Sequence, residues 1–229
     1  MEIVYKKGNI FNTKAQTIVN TVNCVGVMGK GVALVFKLRY PQMFDIYKNH
    51  CKANRISPGK LWLYKGEQNA PWVLNFPTKY HWKYPSKMEY LELGLQKFLE
   101  SYKNQGIQSI AFPLLGTHNG GLDKDKVHVL MTMYLSHCQI PVEIYEYDPS
   151  APDDLYDSFA SKWQSISFEH IKAATGLRRD KIQLIENAIE DKSIHSMISL
   201  IAQKGIGLKS IKKCFSFVMS DKYFNQNLF

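Results

Sequence analysis

No apolar run in this sequence is long enough to cross a bilayer. Ile110–Leu115 is among the longest, against the roughly 20 residues that a spanning helix needs. No secretory h-region follows Met1, because the residues up to Gly8 enter a strand-like pattern at once. Both absences predict a cytoplasmic protein without membrane association. Cysteine is scarce: Cys24, Cys51, Cys138 and Cys214 stand far apart, with no C-x-x-C pair and no His cluster at ligand spacing. That excludes a zinc motif or disulfide framework readable from spacing, and it predicts reduced thiols. Low-complexity tracts are missing too. No segment fits the dinucleotide fingerprint or a G-K-[ST] P-loop.

What is present is an ordinary globular composition carried on 229 residues, with a net charge of +9. The length suits one full domain and a smaller appendage. The charge is uneven, since residues 1–149 hold 18 Lys+Arg against 11 Asp+Glu and residues 150–229 hold 11 against 9. A positive field of this size favours polyanionic partners without saying which.

Along the chain, Glu2–Lys7 alternates as a half-buried strand and Thr17–Val22 is a β-branched run. Gly31–Lys52 carries helical apolar spacing that Pro41 divides into two helices. Leu61–Tyr64 and Trp72–Phe76 read as a hairpin joined by the turn-rich Gly66–Pro71 link. Lys87–Gln105 is an amphipathic helix ended near Gly106; Ser109–Leu115 is a buried strand; Asp123–His137 is a helix with an acidic first turn. Val142–Tyr147 closes the unit. Strands alternating with helices predict an α/β layered domain whose ligand lies where strand ends meet helix starts.

Beyond the Pro/Asp/Ser linker Asp148–Asp154 the pattern is all helical. Phe159–Phe168 and the segments 168–175, 178–190, 193–204 and 208–219 are short helices, followed by a Tyr223–Phe229 tail.

Two glycine-rich loops follow strands and precede helices. One runs from Asn23 through Gly26, Val27, Met28, Gly29 and Gly31 to Val32 and Ala33. The other runs from Pro113 through Gly116, Thr117, His118, Asn119, Gly120 and Gly121 to Leu122 and Asp123. Glycine lets backbone approach a ligand closely, and amides at a helix start face an anion with their positive ends.

These loops, with Gly8-Asn9-Ile10 and the segment Ile18-Val19-Asn20-Thr21-Val22-Asn23, resemble the successive motifs of a macrodomain, in family order from Met1 to about Pro149. The resemblance implies a three-layer α/β/α fold with a mixed central sheet, binding ADP-ribose as ligand or product with no cofactor and no metal. It places Asn9 and Ile10 near the adenine, an Asn9 carbonyl accepting from the adenine amine. Asn20 belongs to the binding strand and Asn23 faces the distal ribose, while the two loops clamp the diphosphate and that ribose. Asn75–Trp82 is similar to the segment carrying the catalytic lysine in one branch of the family. That branch contains the DarG-type antitoxins, which strip ADP-ribose from thymine in single-stranded DNA, and the terminal ADP-ribose protein glycohydrolases. It implies that Lys79 reaches the anomeric carbon and that Asp123 assists.

The chemistry suits such roles. A glycosidic bond at an anomeric carbon breaks through an oxocarbenium-like state, which a nucleophile or base beside it stabilises. A partly neutral lysine can attack the opened sugar, or a charged one can stabilise departing negative charge. Tyr80, His81 and Trp82 either stack on a base or pack on the domain surface.

The reading that follows is an ADP-ribosyl glycohydrolase acting on single-stranded DNA, antitoxin to a cognate ADP-ribosyltransferase toxin. Two others stay open: a hydrolase of ADP-ribosylated protein or of ADP-ribose 1″-phosphate, and a non-catalytic ADP-ribose reader. In the helical segment, Ile171–Leu177 with Arg178, Arg179 and Lys181 resembles a helix-turn-helix, and Gly205-Ile206-Gly207 a helix-hairpin-helix. A partner-docking or packing role is the alternative.

Overall fold

The computed structural model of the protein describes residues 3–66 and 70–224. They divide into two units, Met1–Tyr147 and Asp148–Phe229. Glu2, the middle of the Gly66–Pro71 link and the end of the Tyr223–Phe229 tail lie outside the described residues.

In the first unit the elements run β1 (Ile3–Gly8), β2 (Thr17–Val22), α1 (Gly31–Arg39), α2 (Pro41–Lys52), β3 (Trp62–Tyr64), β4 (Trp72–Pro77), α3 (Met88–Gln105), β5 (Ile110–Pro113), α4 (Lys124–Leu135) and β6 (Val142–Tyr147). A 3-10 turn, Ile10–Asn12, follows β1. Pro41 separates α1 from α2 as its chemistry requires. It sits at the start of α2, where its missing N–H has no intrahelical partner to lose. Gly106 ends α3 in the left-handed conformation, φ 77°, its N–H turned back to the Tyr102 carbonyl.

The six strands pair in the order β1-β6-β5-β2-β4-β3. All pairs are parallel except β3 with β4, the hairpin, so the sheet is mixed. Helices cover both faces in a three-layer α/β/α arrangement. Under α3 and α4 lies a core that includes Val19, Leu74, Phe76, Leu91, Leu95, Phe98, Phe112 and Val127. Phe36, Met43 and Tyr47 of α1 and α2 are buried. The buried strands β2, β4 and β5 of this mostly parallel sheet read as apolar runs rather than strict alternation, whereas β1 at the edge is largely exposed.

Gly94 shows how closely α3 approaches the sheet. A Cβ there would lie 2.2 Å from the Phe76 ring, which is fully buried. Gly94→Ala is expected to lower stability by about 1–3 kcal/mol through overpacking, measured as a drop in the urea midpoint. An unchanged midpoint would show that Phe76 has room to move.

The second unit comprises α5 (Tyr156–Ser165), α6 (Phe168–Thr175), α7 (Arg179–Glu190), α8 (Met197–Ile201) and α9 (Leu208–Phe224). Phe159, Trp163, Ile182, Ile185, Leu200 and Phe215 form its buried core. The 193–204 helix is shorter than expected, because Ser196 caps α8 through a capping box with Ser199. The linker expectation for Asp148–Asp154 is corrected at Asp153. This residue is buried, and its carboxylate accepts from the Leu155, Tyr156 and Met197 N–H groups, joining the start of α5 to that of α8. The basic residues of the helix-turn-helix expectation are engaged within the unit. Lys181 Nζ donates to the Gly205 carbonyl at 3.0 Å, Arg178 pairs with Asp180, and Arg179 lies over the Phe168 ring.

Candidate functional site

Because β1, β6, β5, β2 and β4 run parallel, the segments after β1, β2, β4 and β5 all leave the sheet at its C-terminal edge. That edge is where ligands of open α/β sheets bind. With β2 between β5 and β4 in the sheet, the first glycine loop leaves between the other two segments, and Thr78–Lys87 bonds to both glycine loops through Tyr80 and Ser86.

The first loop is built around Asn23. Its Oδ1 accepts from the Val25 N–H at 3.1 Å and the Val27 N–H at 3.3 Å, and its Nδ2 donates to the Val27 carbonyl. Tyr47 of α2 donates its hydroxyl to the Asn23 carbonyl at 2.6 Å, and burial pushes that phenol's pKa well up. Asn23 therefore organises the loop. The expectation that it faces the distal ribose meets a side chain whose polar atoms are already engaged by the loop.

Met28 is fully buried and meets Asn20, whose Nδ2 also donates to Asn75 Oδ1 at 2.9 Å. Asn20 and Asn75 thus join β2 and β4 in the middle of the sheet, and the exposed residues of the loop are Val25, Val27, Gly29, Lys30 and Gly31. Gly26 and Gly31 adopt φ of 80° and 57°, which a side chain would strain. Val32 continues into α1, half-buried.

The second loop turns tightly from Pro113. Thr117 Oγ1 donates to the Leu114 carbonyl and the Leu122 N–H to the Gly116 carbonyl, both near 3 Å. A Cβ on Gly120 would lie 2.0 Å from the Gly116 carbonyl oxygen and 2.4 Å from Ser86 Oγ. His118 sets its ring edge against Tyr147 at 5.7 Å. The bare Gly31 lies under the Asn119 side-chain amide, which a Cβ there would meet at 2.6 Å, so the two glycine loops touch.

Lys79 leaves the end of β4 and crosses to the second loop. Its Nζ donates to the Asn119 carbonyl at 2.5 Å. Burial holds its pKa below the usual lysine value; a desolvated amine is more readily neutral. The backbone behind it is fixed to the first loop, for the Cys24 N–H donates to the Tyr80 carbonyl at 2.9 Å. The lysine singled out by sequence thus stands where both glycine loops meet.

Two expected residues have other local roles. Asp123 is exposed and is the N-cap of α4, its Oδ1 accepting from the Lys126 N–H at 3.0 Å. Capping alone accounts for an acid there. Asparagine caps nearly as well, so Asp123→Asn should leave both the melting temperature and turnover near parental values. Loss of turnover at an unchanged melting temperature would make the carboxylate catalytic.

Asn9 caps the 3-10 turn, Oδ1 accepting from the Phe11 N–H at 3.1 Å, while its buried Nδ2 has no partner. The resemblance leads one to expect an acceptor for the adenine amine; the unsatisfied group is a donor, which suits a ring nitrogen instead. Ile10 beside it is buried.

Sequence reading passed over Tyr47, Ser86 and Tyr84. Tyr47 was visible only as an apolar helix position. Ser86 is buried with an unpartnered Oγ beside Gly116 and Gly120, and its N–H donates to the Gly120 carbonyl at 2.9 Å. No local pattern marks such a serine.

Comparison with known proteins agrees with this geometry. Residues 19–131 match the Macro domain family. Over 151 residues the chain is 42% identical to a protein of Mycobacterium tuberculosis named DNA ADP-ribosyl glycohydrolase, covering 65% of this chain and 42% of that one. The solved macrodomain of Mycobacterium tuberculosis DarG superposes with a TM-score of 0.61 at 39% identity, covering 63% of this chain and 97% of that structure. The Thermosipho africanus DarTG structure, in complex with ADP-ribose, gives a TM-score of 0.60 at 38% identity, with 63% of this chain and 42% of that one covered. The chain spans about two-fifths of the length of these curated relatives. Fold, loop order and sequence likeness coincide over the first unit, and the chain belongs to the macro domain family.

Proposed function

We propose that the first unit is an ADP-ribosyl glycohydrolase that releases ADP-ribose from a thymine base in single-stranded DNA. The observation that carries the reading is Lys79, a partly buried amine held at the junction of the two glycine loops. Support for DNA as the target comes from relatives named DNA ADP-ribosyl glycohydrolase and from the excess of Lys+Arg in residues 1–149.

In this reading the diphosphate lies against the backbone of the Gly26–Gly31 and Gly116–Gly121 loops, and the adenine lies toward Asn9 and Ile10. The distal ribose then presents its anomeric carbon to Lys79. In the covalent route the neutral amine forms a bond to that carbon of the ring-opened sugar, the base departs with its bonding pair and a proton, and water releases the sugar from the lysine. In the electrostatic route Lys79 stays protonated and offsets the charge developing on the leaving base. Neither route calls on a cofactor or metal.

The partner that creates this substrate is an ADP-ribosyltransferase. A Thermosipho africanus relative named as a fusion of DNA ADP-ribosyl transferase and DNA ADP-ribosyl glycohydrolase, 38% identical over 156 residues, supports that pairing. The test compares turnover of ADP-ribosylated single-stranded DNA, ADP-ribosylated protein and ADP-ribose 1″-phosphate by the parent and by Lys79→Ala. Preference for the DNA with loss in the variant is expected. Preference for either other substrate would overturn the DNA target, and tight ADP-ribose binding without turnover of any would leave a reader.

A further inference from the structure

Between Lys79 and Ser86 the chain presents aromatic rings to solvent. Tyr80 is 58% exposed, Trp82 50% and Tyr84 66%, three large rings within five residues. Isolated exposed apolar side chains are ordinary, but a contiguous group marks an interaction surface. Trp82 and Tyr84 also pack together through His81. His81 stacks on Trp82, centroids 5.5 Å apart at 27°, and lies 5.6 Å from the Tyr84 ring. A turn holds them, with the Lys83 N–H donating to His81 Nδ1 and the Tyr84 N–H to the His81 carbonyl, both at 3.2 Å.

The segment is tied at each end to one glycine loop. Tyr80 accepts from Cys24 at the first, and Ser86 donates to Gly120 at the second. Its position is therefore fixed relative to the candidate site, immediately after Lys79. Lys79, Lys83 and Lys87 punctuate it with no acidic residue between them, and the Lys83 ammonium lies 5.4 Å over the Trp82 ring.

Flat rings interleaved with cations match a strand whose bases are unstacked and whose backbone is anionic. We infer that Trp82 and Tyr84, supported by His81, form a stacking ledge that grips bases neighbouring the modified one in single-stranded DNA, with Lys83 meeting the phosphate backbone. This rests on the glycohydrolase reading for its substrate, but the ledge binds unmodified strand as well. It determines which target is presented to Lys79, and the rings take no part in bond cleavage.

The test is fluorescence anisotropy with a labelled oligothymidylate of about 12 nucleotides, a length within the usual range for a single-strand groove. The full chain is used as the parent and as Trp82→Ala, Tyr84→Ala and Trp82→Phe. Each alanine variant should weaken binding about tenfold or more at an unchanged melting temperature, and Trp82→Phe should recover most of the loss. A duplex of the same sequence should bind more weakly than the single strand. Unchanged affinity in both alanine variants, or equal affinity for duplex and single strand, would overturn the ledge.

On the ADP-ribosylated strand, the alanine variants should raise KM far more than they lower kcat. A pure kcat loss would point instead to a disturbed Lys79 and also overturn it. Failure of the glycohydrolase reading looks different: the parent would leave ADP-ribosylated single-stranded DNA intact while the ledge variants still lose the oligothymidylate.

Discussion

Replacing Lys79 with alanine is expected to lower the rate of ADP-ribose release from modified single-stranded DNA by about 10²–10⁴-fold, the usual contribution of a positioned acid or base. ADP-ribose affinity should change little, because in the proposed binding mode the diphosphate lies against glycine-loop backbone rather than Lys79. Lys79→Arg separates the two chemical routes. A guanidinium stays protonated and cannot attack carbon, so the covalent route predicts an arginine variant as slow as alanine. The electrostatic route predicts partial rescue.

The pH dependence has a definite sign. Burial lowers the lysine pKa from 10.5, so its neutral fraction rises as pH approaches that lowered value from below. The covalent route therefore predicts a rate that climbs with pH on the alkaline side and levels above the lowered pKa. A rate that falls as pH rises there would show that the protonated ammonium is the working form. A rate-against-pH series on the parent decides between them.

The second large effect is expected at Gly120. A methyl group there would lie 2.0 Å from the Gly116 carbonyl oxygen, far inside contact distance, and 2.4 Å from Ser86 Oγ. The main obstacle is backbone, so no side-chain rotation relieves it. The loop must open, and it takes with it Asn119, whose carbonyl receives Lys79 and whose amide covers Gly31. Gly120→Ala should weaken ADP-ribose binding by about 100-fold, near 2.8 kcal/mol, read by calorimetry, and should abolish turnover with it.

Gly121→Ala is the matched comparison. Nothing lies within 4 Å of a Cβ at Gly121, and only its φ of 74° is unfavourable, a strain of about 1–2 kcal/mol. That strain is present with or without ligand, so it lowers loop stability and leaves affinity within a few-fold of the parent. Equal losses in the two variants would mean that loop strain, rather than the close approach at Gly116, governs binding.

Much of the fold was legible because its signals are local. Pro41 divides two helices by covalent geometry, Gly106 ends a helix by its freedom at positive φ, and the Leu61–Phe76 hairpin declares itself by two apolar runs around a turn-rich link. The glycine loops were legible for the same reason. What escaped is settled by partners distant in sequence. Nothing near Asn23 announces that its amide would be spent on its own loop, or that Tyr47 would reach it from α2. Asp153 reads as linker until Met197, 44 positions away, donates to its carboxylate. Lys79 is one of 29 basic residues, and its distinction comes from the Asn119 carbonyl 40 positions later. The family likeness picked it out, but a resemblance could not show that Asp123 caps a helix or that Asn9 leaves a donor unsatisfied.

The two backbone hydrogen bonds that fasten Tyr80 to Cys24 and Ser86 to Gly120 carry one more implication. They use main-chain atoms alone, so the Tyr80, Trp82 and Tyr84 rings contribute nothing to these two bonds. The segment behaves as an interchangeable tip: its rings could be exchanged for other chemistry while the mounting, and Lys79 behind it, kept their places. Under the proposed function, choice of target and cleavage of the sugar bond are mechanically separate. Retargeting it to another ADP-ribosylated polymer is then a matter of rewriting one short stretch of surface.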